Sequence, residues 1–408
     1  MQFGFDKHGR GVLAVVDGRK STSGRSGEGD ILPDFLHRFE DASGRVFEGT
    51  THLTVREIED AGVREILQTP GAALGTWKFL DALLDPLAPT FRFQEPLGHA
   101  REVKTAVSGL FGRFVARAYA VRHLGLTHFD HVRKPPMILN RPMNGILDRV
   151  PGMTGDMPDW IAWGRGTGLA IVEAKGCHDS KGPQAALDRA DAQAARAEIR
   201  VNGHLAPFKR YAVATRWGFS SPKMREPMLW VKDPDEDGTL TDTEREALEL
   251  AVIRRQAAAL LAPLGHGPLA RAVLDLDQVL FPNLIENRRE RAREILYSSP
   301  RVRIFGEHAA PDAELVGGFV TRLGPLGDTP PTRAQLAVLR DLGLRPMFVG
   351  IERSRLKQAV EGLSEGSEGK AASLPEEVGL PDIGAGADGS GSWVVHLDGE
   401  ADVEPLGE

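Results

Sequence analysis

Hydrophobic positions along this chain change their period several times, and each change marks an expected element. Between His99 and His123, Val103, Val107, Leu110, Phe111, Val115 and Tyr119 recur three or four residues apart, which predicts one long helix with an apolar face. The apolar runs Trp160-Ile161-Ala162-Trp163 and Leu169-Ala170-Ile171-Val172 enclose Gly164-Arg165-Gly166-Thr167-Gly168. That arrangement predicts a β-hairpin with a loop of about five residues. An Ala-rich stretch from Pro183 to Val201 predicts a second helix, with Pro183 suited to the first turn, where no amide hydrogen is needed. Arg210 to Trp217, closed by Gly218, predicts a further strand, and a Pro/Gly/Met-rich loop is expected after Asn140-Arg141-Pro142.

Outside this span the pattern carries less information. Phe3 and Val12–Val16 predict a strand pair, followed by a Gly/Ser-rich loop from Arg19 to Asp30 and then helical stretches. Glu244–Leu261 predicts a helix, and Pro346-Met347-Phe348-Val349-Gly350 a strand entering a Ser354–Val360 helix. The chain of 408 residues exceeds what one core usually supports. We therefore expect four parts: a small mixed α+β module over 1–95, the informative domain over 96–232, a mainly helical region over 233–360, and an acidic, Gly/Ser-rich, disordered tail over 361–408. Trp393-Val394-Val395-His396-Leu397 forms an apolar island in that tail and could dock a protein partner.

Charge changes this picture slightly. The formal net charge is −7, but residues 361–408 hold twelve acidic residues against Lys370, a net of −11, which leaves +4 for residues 1–360. A mildly basic body is compatible with a phosphate backbone as partner. The single cysteine, Cys177, excludes an intrachain disulfide and any cysteine-rich zinc site. No apolar run is long enough to span a bilayer, and Met1-Gln2-Phe3-Gly4 opens without a basic and apolar leader, so a cytoplasmic protein is expected.

The hairpin carries the chemistry. With Gly166 at its centre, Asp159 and Glu173 lie seven residues to either side and so face each other across the strands. Alternation puts Glu173 and Lys175 on one face with Leu169 and Ile171, while Ala170, Val172 and Ala174 face the other way. Two carboxylates that close repel each other unless a cation lies between them. Mg²⁺ prefers such oxygen donors and keeps waters for chemistry, and Mn²⁺ accepts the same ligands.

Pro158-Asp159, a spacer, and Glu173-Ala174-Lys175 after an apolar strand resemble the signature of the PD-(D/E)XK, or restriction-endonuclease-like, nuclease superfamily. The order helix, hairpin, helix, strand over roughly 97–217 is similar to that family's mixed-sheet αβββαβ core. The resemblance implies an α/β fold in which Asp159 and Glu173 hold Mg²⁺ with the backbone carbonyl of Ala174, and Lys175 orients the attacking water. It further implies an acid from the first helix, for which Glu102 is the candidate, and a glutamine on the helix after the lysine, for which Gln193 and Gln184 qualify. No tyrosine stands four residues after Gln193, a departure from the RecB-like branch. The implied activity is Mg²⁺-dependent hydrolysis of DNA in restriction, phage defence or repair, with a second copy of the chain as an open partner. The alternative is a catalytically inactive nucleic-acid-binding or scaffold protein that keeps the fold.

Other motifs are weaker. Asp233 to Glu244 matches an EF-hand Ca²⁺ loop position for position, yet Glu226–Val231 before it reads as a strand instead of the entering helix. An acidic turn capped by Thr241 or Asp242 is the simpler reading. His128, Asp130 and His131 read as a polar turn, His178 as a neighbour of the hairpin site, and Arg288, Arg289, Arg291 and Arg293 as a salt-bridged helix face interleaved with Glu286, Glu290 and Glu294.

Overall fold

The computed structural model describes residues 35–69, 92–93, 101–178, 181–219, 226–234, 240–305, 313–321, 324–342, 344, 346–362, 390–397 and 402–406. The strand pair expected near Phe3 and Val12 and most of the acidic tail lie outside the described residues. The described part is mixed α/β, with eight α-helices and several sheets.

The chain begins with β1 (Phe35–Glu40), β2 (Val46–Thr51) and α1 (Val55–Gln68), the last started by a Thr54/Glu57 capping box. The long helix α2 (Arg101–Leu124) and strand β3 (His128–His131) follow. Next come β4 (Met137–Asn140), β5 (Gly145–Arg149), β6 (Trp160–Gly164) and β7 (Gly168–Cys177). The domain is completed by α3 (Gln184–Ala194), β8 (Ala197–Val201), β9 (Lys209–Arg216) and β10 (Met228–Lys232). Seven strands form one mixed sheet in the order β2-β1-β10-β9-β7-β6-β3. In it β7 runs antiparallel to β6 and parallel to β9.

Side-chain alternation along β7 decides the layers. Ala170, Val172 and Ala174 pack with Val107, Phe111, Phe114 and Val115 of α2, whereas Leu169 and Ile171 join a second cluster with Leu147, Ile199 and Val201. Cys177 meets Ala186, Leu187 and Ala190 of α3. Each face of the sheet is thus covered by a helix, as a strand buried on both sides requires.

Four expectations about this part of the chain need correction. The hairpin turn is three residues long, Arg165 to Thr167, because Gly164 and Gly168 still pair and Gly168 takes φ 78, the left-handed region glycine favours. The helix expected to reach Val201 ends at Ala194, and Ala197, Ile199 and Val201 alternate inward along β8, in a small sheet with β5 and β4. That sheet also replaces part of the loop expected after Pro142. Finally, residue 95 marks no break in the sheet, since β1 pairs in parallel with β10.

Helix α4 (Asp242–Leu261) leads into α5 (Gly267–Asp275) and α6 (Pro282–Ser298). A six-stranded sheet follows, with β11 (Arg301–Phe305), β12 (Leu315–Thr321), β13 (Met347–Glu352), β14 (Ser392–His396) and β15 (Asp402–Leu406) ordered β14-β13-β12-β11-β15 and the short strand Gly324–Gly327 paired with β12. Helices α7 (Arg333–Asp341) and α8 (Arg353–Glu361) accompany it. The region over 233–360 is mainly helical by length, as expected, with α4 to α8 supplying most of its described residues and the strands of this sheet part of the rest. The tail expected to be disordered supplies two of the sheet's strands, because Trp393, Val395 and Leu397 pack with Phe319 and Phe348.

Candidate functional site

The register anticipated from Gly166 extends along the whole hairpin, with Trp160 opposite Val172 and Gly164 opposite Gly168. Asp159 consequently stands one position beyond the last pair, beside Glu173. The Asp159 amide donates to Glu173 Oε2 at 2.8 Å, and the Ala174 amide donates to Asp159 Oδ2 at 2.9 Å. Each carboxylate is thereby fixed by the backbone of the opposite strand.

Lys175 lies two residues along β7 from Glu173, on the same side, and its ammonium donates to Glu173 Oε1. It also donates to Gln193 Oε1 at 2.8 Å, and Gln193 Nε2 in turn donates to the Met157 carbonyl at 2.7 Å. Gln193 is buried on the inner side of α3, so the helix covering this face orients the lysine. Gln184, on the same helix, instead accepts from Arg38 and donates to Asp188.

Glu173 has no solvent exposure. Burial first, and the charge of Asp159 second, push its carboxyl up to about 8, against the lowering pull of Lys175. A buried acid pair that resists full ionisation matches a site that takes a cation. Among the described residues no group of three or more His, Cys, Asp or Glu side chains could hold a metal. The acidic side chains at this site are the pair Asp159 and Glu173.

Helix α2 reaches the site differently from expectation. Glu102 is exposed in the first turn, eleven residues before Arg113 and roughly 16 Å from it along the axis at 1.5 Å per residue. The helix brings Arg113 to the acid pair, with Nε 3.6 Å from Asp159 Oδ1, and so does not contribute Glu102. Arg113 Nη2 lies 2.8 Å from Glu65 Oε1 on α1, and the guanidinium stacks over Trp160 at 5.3 Å. Sequence reasoning missed Glu65, Arg113 and Trp160. The available signal was the pair Arg113 and Arg117, four apart inside the otherwise apolar run Phe111 to Tyr119.

The remaining candidates have other partners. Asp130 pairs with Arg255 at 2.7 Å, His128 lies against Thr127 and Trp163, and His131 Nδ1 accepts from Arg113 at 2.9 Å. These three side chains are spread along strand β3 instead of forming a polar turn. His178 Nδ1 is 3.3 Å from Ser108 Oγ, beside the strand end. Of the candidate Ca²⁺ loop, residues 235–239 lie outside the described residues. Glu244, its twelfth position, accepts from the Thr241 amide and hydroxyl and from Asn202, which makes it the third helical residue of a capping box. Arg288, Arg289 and Arg293 form ion pairs with Asp275, Glu286 and Glu361, as a salt-bridged helix face would.

No protein-family model matches the chain, and none of the curated proteins or solved structures compared with it does. Among the described residues no helix is long and apolar enough to cross a membrane.

Proposed function

We propose that the chain is a divalent-metal-dependent nuclease that hydrolyses phosphodiester bonds in DNA, on a restriction-endonuclease-like core. The observation that carries this reading is the convergence of Asp159, Glu173, Lys175 and Gln193 at one end of a buried hairpin. The element order α2, β3, β6, β7, α3, β9, with both helices packed on one mixed sheet, supports the same reading.

Asp159, Glu173 and the Ala174 carbonyl would hold the ion. When bound, Mg²⁺ supplies Lewis-acid stabilisation of phosphate charge and lowers the pKa of a water. The chain's own part is orientation. Lys175 presents N–H donors on the side where the carboxylates meet, directing a water and offsetting charge that develops on the phosphate oxygens. Gln193 restricts the rotamers of Lys175, which reduces the entropy lost on reaching the reactive geometry. Ionisation of Glu173 belongs to metal uptake, so proton release accompanies loading of the site.

Purified full-length protein incubated with supercoiled and linear DNA, in Mg²⁺ or in EDTA, tests the proposal. Cleavage in Mg²⁺ and none in EDTA is the expected result. DNA binding without cleavage in Mg²⁺ or Mn²⁺ would favour the inactive scaffold instead.

A further inference from the structure

Glu65 is an unusual residue to find behind this site, because it lies outside the segment that carries the nuclease-like signature and is 1% exposed. Its carboxylate meets Arg113 at 2.8 Å, Arg117 at 3.3 Å, Trp160 Nε1 at 3.0 Å and His131 Nε2 at 3.4 Å. Burial alone would raise its pKa, but the charges of Arg113 and Arg117 and the Trp160 hydrogen bond outweigh that and hold it below the usual carboxylate range. Arg117 is itself 1% exposed and also donates to Gln68 Oε1. Glu65 is thus a buried carboxylate whose ionised form is favoured, with one arginine committed to it and a second facing the acid pair.

Arg113 is the second. Its Nη2 is engaged by Glu65 and His131, its plane is stacked on Trp160, and its buried Nε makes no hydrogen bond. At 3.6 Å that Nε stops short of hydrogen-bond distance to Asp159 Oδ1. The guanidinium is shared: it is ion-paired with Asp159 at 3.6 Å without a hydrogen bond, and ion-paired more closely with Glu65 at 2.8 Å.

We propose that Arg113 is a positioning residue that sets how tightly the Asp159/Glu173 pair takes a divalent cation, and that Glu65 restrains it from occupying Asp159 itself. The inference rests on the reading of that pair as a metal site. It makes α1, from the N-terminal segment, part of the active site. A fixed unit charge this close to a ligating carboxylate changes ion affinity by tenfold or more at the effective dielectric of a half-buried position, on the order of what Coulomb's law gives.

The sign of the effect separates this role from a structural one. Calorimetric titration of Mn²⁺ into the metal-free full-length protein is the measurement, with melting followed in parallel. Arg113→Met should lower the Kd about tenfold, because the competing charge is gone, and Arg113→Lys should stay near wild type. Both keep Glu65 paired with Arg117 and Trp160, so both should fold. Glu65→Gln should weaken Mn²⁺ binding by releasing Arg113 onto Asp159, and Glu65→Gln/Arg113→Met should regain the tight binding of Arg113→Met. Unchanged or weaker binding in a folded Arg113→Met variant overturns the inference while leaving the site intact. If Asp159→Ala binds Mn²⁺ as wild type does, or wild type binds none, the pair is not the metal site and both readings fail together.

Discussion

A Cβ added to Gly176 would lie 1.6 Å from the carbonyl oxygen of Ser108, so helix α2 rests directly on the backbone of β7 one residue beyond Lys175. Gly112 answers from the helix, where a Cβ would come within 2.5 Å of the Gly176 amide nitrogen. Two facing glycines allow a closer approach than any side chain would, and that approach sets where Arg113 arrives. Gly176→Ala must push backbone against backbone, and neither side can yield by changing a rotamer. We expect a loss of about 3 kcal/mol in stability by chemical denaturation, at the upper end of what overpacking costs. An unchanged denaturation midpoint would mean that helix and strand are not in direct backbone contact.

Gln193 offers a cleaner separation of orientation from folding. Gln193→Ala removes the acceptor for Lys175 and the donor to Met157. Around the proposed metal site, loss of such a supporting hydrogen bond is expected to cost ~10–100-fold. We expect kcat for DNA cleavage to fall in that range with KM and melting temperature little changed, and Gln193→Glu to be at least as damaging, because a second acid would draw Lys175 off Glu173. A loss confined to KM would assign Gln193 to substrate binding instead.

The raised carboxyl of Glu173 gives a pH dependence whose sign is opposite to that of a salt-bridged acid. Its folded-state pKa of about 8 lies above the ordinary value of 4.5, so between those limits the folded protein binds more protons than the unfolded chain. Stability of the metal-free protein should therefore fall as pH rises from about 5 to 8 and level off above that. Thermal melts of wild type and Glu173→Gln in EDTA, compared across this window, isolate the contribution. The substitution should flatten the slope, and excess Mg²⁺ should flatten it in wild type.

The C-terminal strand makes truncation more damaging than an acidic tail would suggest. Arg64 of α1 donates from Nε to Ser392 Oγ and from Nη2 to the Ser392 carbonyl, both at 3.0 Å, and β14 pairs along β13 from Met347 to Ile351. Ending the chain at Glu361 exposes that edge and leaves Arg64 without these acceptors. We expect a lower melting temperature and aggregation, read by calorimetry and light scattering. A truncated protein that melts like the full chain would contradict the pairing of β14 with β13.

The juxtaposition of Asp159, Glu173 and Lys175 was legible because these residues lie on or beside two adjacent strands joined by a short turn, where alternation and a glycine centre fix the register without tertiary information. Gln193 was legible only as a residue type on the right helix, and its choice over Gln184 depended on helix phase. Ala195 to Val201 was misread because alanine favours a helix locally, while the inward alternation of Ala197, Ile199 and Val201 is satisfied only by a partner strand some fifty residues earlier, β5. Glu65 and Arg113 are 48 positions apart and meet through the packing of α1 on α2, for which no local pattern exists. The tail strand was hidden by its surroundings, because Gly, Ser and acidic residues flank a five-residue run that is apolar enough to complete a sheet.

Lys175→Ala is the decisive substitution, because it removes the one group assigned to the chemistry alone while leaving both carboxylates in place. Single-turnover cleavage of DNA in saturating Mg²⁺ should be abolished in this variant, with the melting temperature and DNA affinity retained. Cleavage by Lys175→Ala at a rate near that of wild type would contradict the assignment of the Asp159, Glu173 and Lys175 cluster as the active site.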